Sequence, residues 1–138
     1  MPFTERFDHV AVAVHQAEDA ARLFRDILGG EAVGGMDVPE EGFRFVQYRY
    51  PNQMKIELLE PLVQTGFLPK FLAERGEGVH HLTFKVTDIE SKLRDLRSRG
   101  IEPVHVVLQG PWLEAFIHPR QAHGCLIQLL ETPTPGRR

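Results

Sequence analysis

The chain has 138 residues, 42% hydrophobic and 25% charged, a length and balance that suit one soluble globular domain burying roughly two thirds of its unfolded surface. Disordered, collagen-like and coiled-coil readings are excluded by the same figures. With 16 Lys+Arg against 19 Asp+Glu, a net charge of -3 and no long block of one sign, the sequence offers no basic face for nucleic acid.

Residues 1–6 lack the apolar segment that a secretory signal needs, and the apolar run at 10–14 is far too short to cross a bilayer. The single cysteine, Cys125, can form no internal disulfide, so the expectation is a reducing, cytoplasmic compartment and no membrane partner. Alternation along Phe7-Asp8-His9-Val10-Ala11-Val12-Ala13-Val14 predicts a strand with Val10, Val12 and Val14 on one face. His9, Ala11 and Ala13 take the other. Ala17, Ala20, Ala21, Phe24, Ile27 and Leu28 follow at helical spacing and stop at Gly29-Gly30. Three β-rich stretches come next, near 31–36, 43–50 and 54–60. Between Pro61 and Gly78 a short amphipathic helix is expected to bury Phe67, Leu68, Phe71 and Leu72.

Val79-His80-His81-Leu82-Thr83-Phe84-Lys85-Val86 then predicts a second strand of the first kind. Thr87-Asp88-Ile89-Glu90 has capping-box spacing, Ile89, Leu93 and Leu96 form an apolar stripe, and Gly100 ends the helix. Strands near 102–108, 113–118 and 124–131 complete the pattern, and the Pro-, Gly- and Arg-rich tail at 132–138 is expected to fray. His118-Pro119 reads as a turn and His123-Gly124 as a hairpin. Trp112 lines a pocket or caps the core, and Cys125 reads as inert and buried.

The chain echoes itself. His9 and His81 stand 72 residues apart, and the runs Ile56-Glu57-Leu58-Leu59-Glu60 and Ile127-Gln128-Leu129-Leu130-Glu131 stand 71 apart. Two matches in step argue for a duplicated βαβββ unit, spanning about 7–60 and 79–131, within a single domain over 1–138. His9 and His81 then occupy equivalent places on the first strand of each unit, and Glu57 and Gln128 on the last. If a pseudo-two-fold axis relates the units, two imidazole nitrogens, a carboxylate oxygen and an amide oxygen converge. That donor set suits one divalent first-row ion (Co, Mn, Ni, Zn or Fe), and it leaves open positions where a Lewis acid can stabilise an enolate. The alternative is structural: a satisfied histidine on each strand and a solvated edge carboxylate at Glu57. An inward Glu57 on an apolar strand would be costly to bury unpaired.

The runs around His9, Lys55-Ile56-Glu57-Leu58-Leu59-Glu60-Pro61, Gly78-Val79-His80-His81 and Phe116-Ile117-His118-Pro119 through Leu129 resemble the vicinal oxygen chelate superfamily. Within it they are most similar to the methylmalonyl-CoA epimerases, over about 7–131. The resemblance implies an α+β fold of two paired βαβββ modules forming a cupped mixed sheet around one metal, a homodimer, and an acyl-CoA or similar thioester as substrate. Carried over by position, the metal ligands fall on His9, Glu57, His81 and Gln128, with Glu57 and Gln128 as the catalytic positions; His80 faces away. The chain departs from the family at Gln128, where a ligating and proton-carrying glutamate is usual, because an amide accepts no proton at neutral pH. The strand at 43–48 carries no carboxylate, and Glu40 and Glu41 precede it in a loop. A base must then be Glu57, a metal-bound hydroxide or Glu114. Arg44 and Arg49 are either solvated or placed to meet a CoA phosphate. The leading expectation is a metal-dependent isomerase acting α to a thioester. The alternatives are a glyoxalase-type lyase, a non-haem iron dioxygenase using His9, His81 and Glu57, and a non-catalytic small-molecule-binding protein of the same fold.

Overall fold

A computed structural model describes residues 4–132. The described residues form eight strands: β1 (Thr4–Ala13), β2 (Glu31–Val38), β3 (Phe43–Arg49), β4 (Lys55–Pro61), β5 (Gly78–Val86), β6 (Val104–Val107), β7 (Leu113–Ile117) and β8 (Ile127–Glu131). Helices α1 (Ala17–Ala21), α2 (Phe67–Arg75) and α3 (Ile89–Ser98) connect them. Two compact units emerge: one is His9–His80, and the other joins the residues up to Asp8 to those from His81 onward. Each has the βαβββ order expected from the repeat, an α+β arrangement. None of the helices among the described residues is long and apolar enough to cross a membrane. The tail beyond Thr132 lies outside the described residues.

In the His9–His80 unit the strand order is β2-β3-β4-β1, with β1 and β4 parallel and the other pairs antiparallel. Alternation along β1 is as expected. Val12 and Val14 pack with Ala17, Ala21 and Phe24, whereas Ala11 and Ala13 face the opposite way and meet Leu59, Leu68 and Leu72. Helix α2 therefore covers the far end of the face that His9 shares. Only part of its expected apolar side is buried, since Phe67 is 46% exposed and packs edge-on against Phe43.

The first helix departs from the spacing that predicted it. After Ala21 the chain widens into a π-helical stretch, Arg22–Ile27, in which the Leu28 amide donates to the Leu23 carbonyl five residues back. This wider turn carries Ile27 and Leu28 off the buried face, leaving them 74% and 55% exposed. The stop is as expected: Gly29 adopts φ +79 and the Gly30 amide donates to the Phe24 carbonyl at 3.0 Å.

In the other unit the order is β5-β8-β7-β6, again with the first and last strands parallel. Val86, Ile89, Leu93, Leu96, Ala115 and Leu129 form its core. The cap of α3 lies one residue later than the capping-box spacing places it. Asp88, not Thr87, is the N-cap, accepting from the Ser91 amide at 3.1 Å. The Cys125 expectation is overturned: the thiol is exposed, in the turn before β8. His118 holds a turn by accepting from the Arg120 amide at Nδ1, and His123 sits in a loop at φ +58. Trp112 is 41% exposed and does not cap a core.

Both units tie the start of their helix to the end of their last strand in the same way. The Ala17 amide donates to Glu60 Oε1 at 2.8 Å, and the Ile89 amide donates to Glu131 Oε1 at 3.0 Å. A carboxylate at a helix N-terminus satisfies an amide that has no partner within the helix and meets the positive end of the helix dipole. Glu60→Ala and Glu131→Ala should each reduce unfolding free energy by about 0.5–2 kcal/mol, the cost of a lost cap. Urea denaturation measures this, and an unchanged midpoint in either variant contradicts the capping role.

His80 lies against the rings of Phe71 and Phe67 on α2, at 4.8 and 5.5 Å between centroids. Burial lowers its pKa, and the Arg75 charge adds to the effect. The neutral imidazole is thus favoured in the folded chain, so this contribution is intact above the unfolded value near 6.5 and is lost as pH falls below it. An NMR titration should find the His80 midpoint below that of a free imidazole, and His80→Phe should flatten the fall in stability between about pH 7 and 5. A His80 midpoint at or above the free value contradicts this.

Candidate metal centre

The parallel pairing of first and last strands places the polar residues of each unit. In the His9–His80 unit Ala11 lies opposite Glu57; His9, two residues earlier on β1, shares their face. In the other unit Thr83 lies opposite Gln128, and His81 stands two residues before Thr83 on β5. One register therefore serves both units: a histidine, then a polar residue across from the position two further on.

His9 is 3% exposed and Glu57 8%, with His9 Nε2 3.3 Å from Glu57 Oε2. The other carboxylate oxygen, Oε1, accepts from Gln47 Nε2 at 2.8 Å; Gln47 stands directly opposite Glu57 on β3. This donor is what allows a carboxylate to sit among Phe45, Leu59 and the β1 alanines at tolerable cost. His81 is 7% exposed, its ring edge-on to Phe116 at 6.0 Å. Gln128 is engaged at both ends of its amide: Oε1 accepts from Thr83 Oγ1 and Nε2 donates to Glu114 Oε1, each at 2.6 Å.

The donor chemistry fits a divalent first-row cation. Each unit offers one buried imidazole and one side-chain oxygen on the same face, a borderline nitrogen with a hard oxygen, and the residues around Glu57 are mostly apolar. A protonated His9 beside Glu57 would alternatively form a buried ion pair, which gains little once desolvation is counted.

The other expected polar residues fall elsewhere. Glu40 and Glu41 lie in an exposed 3-10 turn, Pro39–Glu41. Arg44 and Arg49 are not merely solvated. Each pairs with the acid opposite it on β2, Arg44 with Asp37 at 2.7 Å and Arg49 with Glu31. Gln47 and Thr83 escaped the sequence reading. The signal was there: Gln47 falls opposite Glu57 once the β3–β4 hairpin is in register, and Thr83 is the next residue on the face of His81.

Residues 8–116 match the model of the Glyoxalase/Bleomycin resistance protein/Dioxygenase superfamily. The chain is 35% identical to the ethylmalonyl-CoA/methylmalonyl-CoA epimerase of Cereibacter sphaeroides over 131 residues, covering 90% of this chain and 96% of that protein. The crystal structure of methylmalonyl-CoA epimerase from Mycobacterium tuberculosis superposes with a TM-score of 0.86 at 32% identity, over 96% of this chain and 91% of the other. A Streptomyces coelicolor methylmalonyl-CoA epimerase in complex with 2-nitronate-propionyl-CoA gives 0.84 at 26% identity, over 96% and 100%. These relatives are epimerases, and their likeness spans nearly all of this chain. The fold, the duplicated register and the family match agree: the chain belongs to the glyoxalase/bleomycin resistance protein/dioxygenase superfamily.

Proposed function

We propose that this protein is a divalent-metal-dependent isomerase that moves a proton at the carbon α to a thioester, with an acyl-CoA such as methylmalonyl-CoA as substrate. The observation that carries the reading is the repeated pair, His9 with Glu57 and His81 with Gln128, set in one register in both units, with both histidines and Glu57 buried and Gln128 half-buried. The similarity to epimerases of ethylmalonyl-CoA and methylmalonyl-CoA supports the substrate class.

His9, Glu57, His81 and Gln128 are the residues that would hold the ion, which would supply Lewis-acid stabilisation of negative charge on the thioester oxygen. Glu57 is the carboxylate that accepts the α-proton. As the C–H bond breaks, its electron pair moves into the carbon–carbon bond of the enolate. The carbon then takes a proton from solvent on its opposite face, which inverts its configuration, and Glu57 releases its own proton to solvent. Gln47 keeps Glu57 aligned through the bond to Oε1, so Oε2 is the oxygen that would meet the ion and, released from it as the substrate chelates, would receive the proton. Gln128 contributes a neutral oxygen and takes no proton. Apolar neighbours, Phe45 and Leu59 on the face of Glu57, exclude water from the carboxylate and strengthen each polar contact it makes.

The test begins with elemental analysis of the purified protein, expected to show one divalent ion per chain. Methylmalonyl-CoA is then incubated with the protein in deuterium oxide and its α-proton followed by NMR. Deuterium should appear at that carbon, and His81→Ala should lose at least nine tenths of both metal and exchange. Bound metal with no exchange overturns the isomerase reading, and oxygen uptake in its place points to the dioxygenase alternative. Full metal content in His81→Ala overturns the ligand assignment.

A further inference from the structure

We propose that Glu114 is a positioning residue that sets which end of the Gln128 amide faces the metal. The inference rests on the reading of Gln128 as a ligand and names what makes an amide fit for that task.

Gln128 lies opposite Phe116 on β7, and Glu114, two residues earlier on that strand, is its diagonal neighbour on the same face. A side-chain amide has two nearly isosteric ends with opposite chemistry. Its oxygen can ligate a cation; its NH2 group cannot. Rotation by half a turn about the last bond would exchange them and destroy the ligand. The hydroxyl of Thr83 does not prevent this, because it can donate to the oxygen or accept from the NH2. The ionised carboxylate of Glu114 can only accept. It compels the NH2 to turn toward β7, at 2.6 Å, and the oxygen to turn toward Thr83 and the strand of His81.

Glu114 is itself built in. Its side chain is 18% exposed, and His105 Nε2 stands 3.7 Å from its second oxygen. His105 is placed there by an irregularity of β6, where the register breaks between Val104 and Val107 and the backbone reaches φ +50. A non-glycine residue in that region stores strain that its surroundings must repay. Both His105 and His81 pack edge-on against Phe116, at 5.7 and 6.0 Å.

The other unit shows the same pair with the strands exchanged. There the amide is Gln47 on β3 and the carboxylate is Glu57 on β4, joined at 2.8 Å. Each unit thus keeps one carboxylate and one amide in contact. In one the charge is on the last strand; in the other it has moved to the strand beside it.

The experiment measures Co²⁺ affinity by calorimetry, and the visible absorption of the Co²⁺ protein, in wild type and three variants of the full chain. Glu114→Gln keeps the shape but presents a group that accepts or donates, so the amide of Gln128 loses its fixed sense. Affinity should fall about 10–100-fold, as for other outer-shell partners of ligands, and the cobalt absorption bands should shift. Glu114→Asp keeps an acceptor-only group and should recover most of the loss. The double variant E114Q/Q128E restores one amide and one carboxylate in reversed order and should bind within a few-fold of wild type. Unchanged affinity and spectrum in Glu114→Gln overturn the proposal, as does a loss that neither Glu114→Asp nor the double variant repairs. Wild type that takes up no Co²⁺ overturns it together with the metal reading. Normal Co²⁺ binding without α-proton exchange overturns only the isomerase reading.

Discussion

The parallel pairing of the first and last strands in each unit is the constraint on which the other features depend. Parallel neighbours cannot be joined by a tight turn, so each unit must carry its chain through a helix and two further strands before the last one returns. Register then decides everything on the last strand, because its side chains alternate between two faces. Glu57 and Gln128 fall on the face of the histidines. Glu60 and Glu131, three residues later, fall on the helix face and bind the first amide of α1 or α3. A slip of one residue would send Glu57 and Gln128 to the helix and the caps to the opposite face. One strand therefore fixes the helix and presents the polar group.

Burying such groups demands partners, and the two units find different ones. Glu57 is a charge among apolar neighbours and is matched by the Gln47 amide and the imidazole of His9. Gln128 carries no charge, yet its amide is engaged at both ends, by Thr83 and Glu114. The departure from a glutamate on β8 is thus accompanied by a carboxylate on β7. Residue types at Glu57 and Gln128 alone would suggest that the unit of Gln128 had lost its acid. The contacts show the acid one strand away.

Much of this was legible in the chain because it rests on period-two alternation and self-similarity. His9, Glu57, His81 and Gln128 could be placed on matching strands from their spacing alone, and the parallel registers Ala11 with Glu57 and Thr83 with Gln128 agree. Glu60 and Glu131 belonged to the echoed runs, but their role depends on where a helix begins on the neighbouring layer. Hidden features arose where local geometry leaves the regular periods. The π-helical stretch after Ala21 displaces Ile27 and Leu28 from an otherwise sound helical face. The break in β6 brings His105 to Glu114. Cys125, flanked by apolar residues, sits in a turn before β8 rather than within it.

The central claim is that two imidazoles and two side-chain oxygens, half from each repeat, hold a single cation. X-ray absorption at the metal edge of protein loaded with one equivalent of Co²⁺ addresses it directly, because imidazole rings give multiple-scattering features that can be counted. The account predicts two imidazoles per ion in a shell otherwise made of oxygen, falling to one in His9→Ala. A shell with no imidazole, or two in that variant, would contradict it.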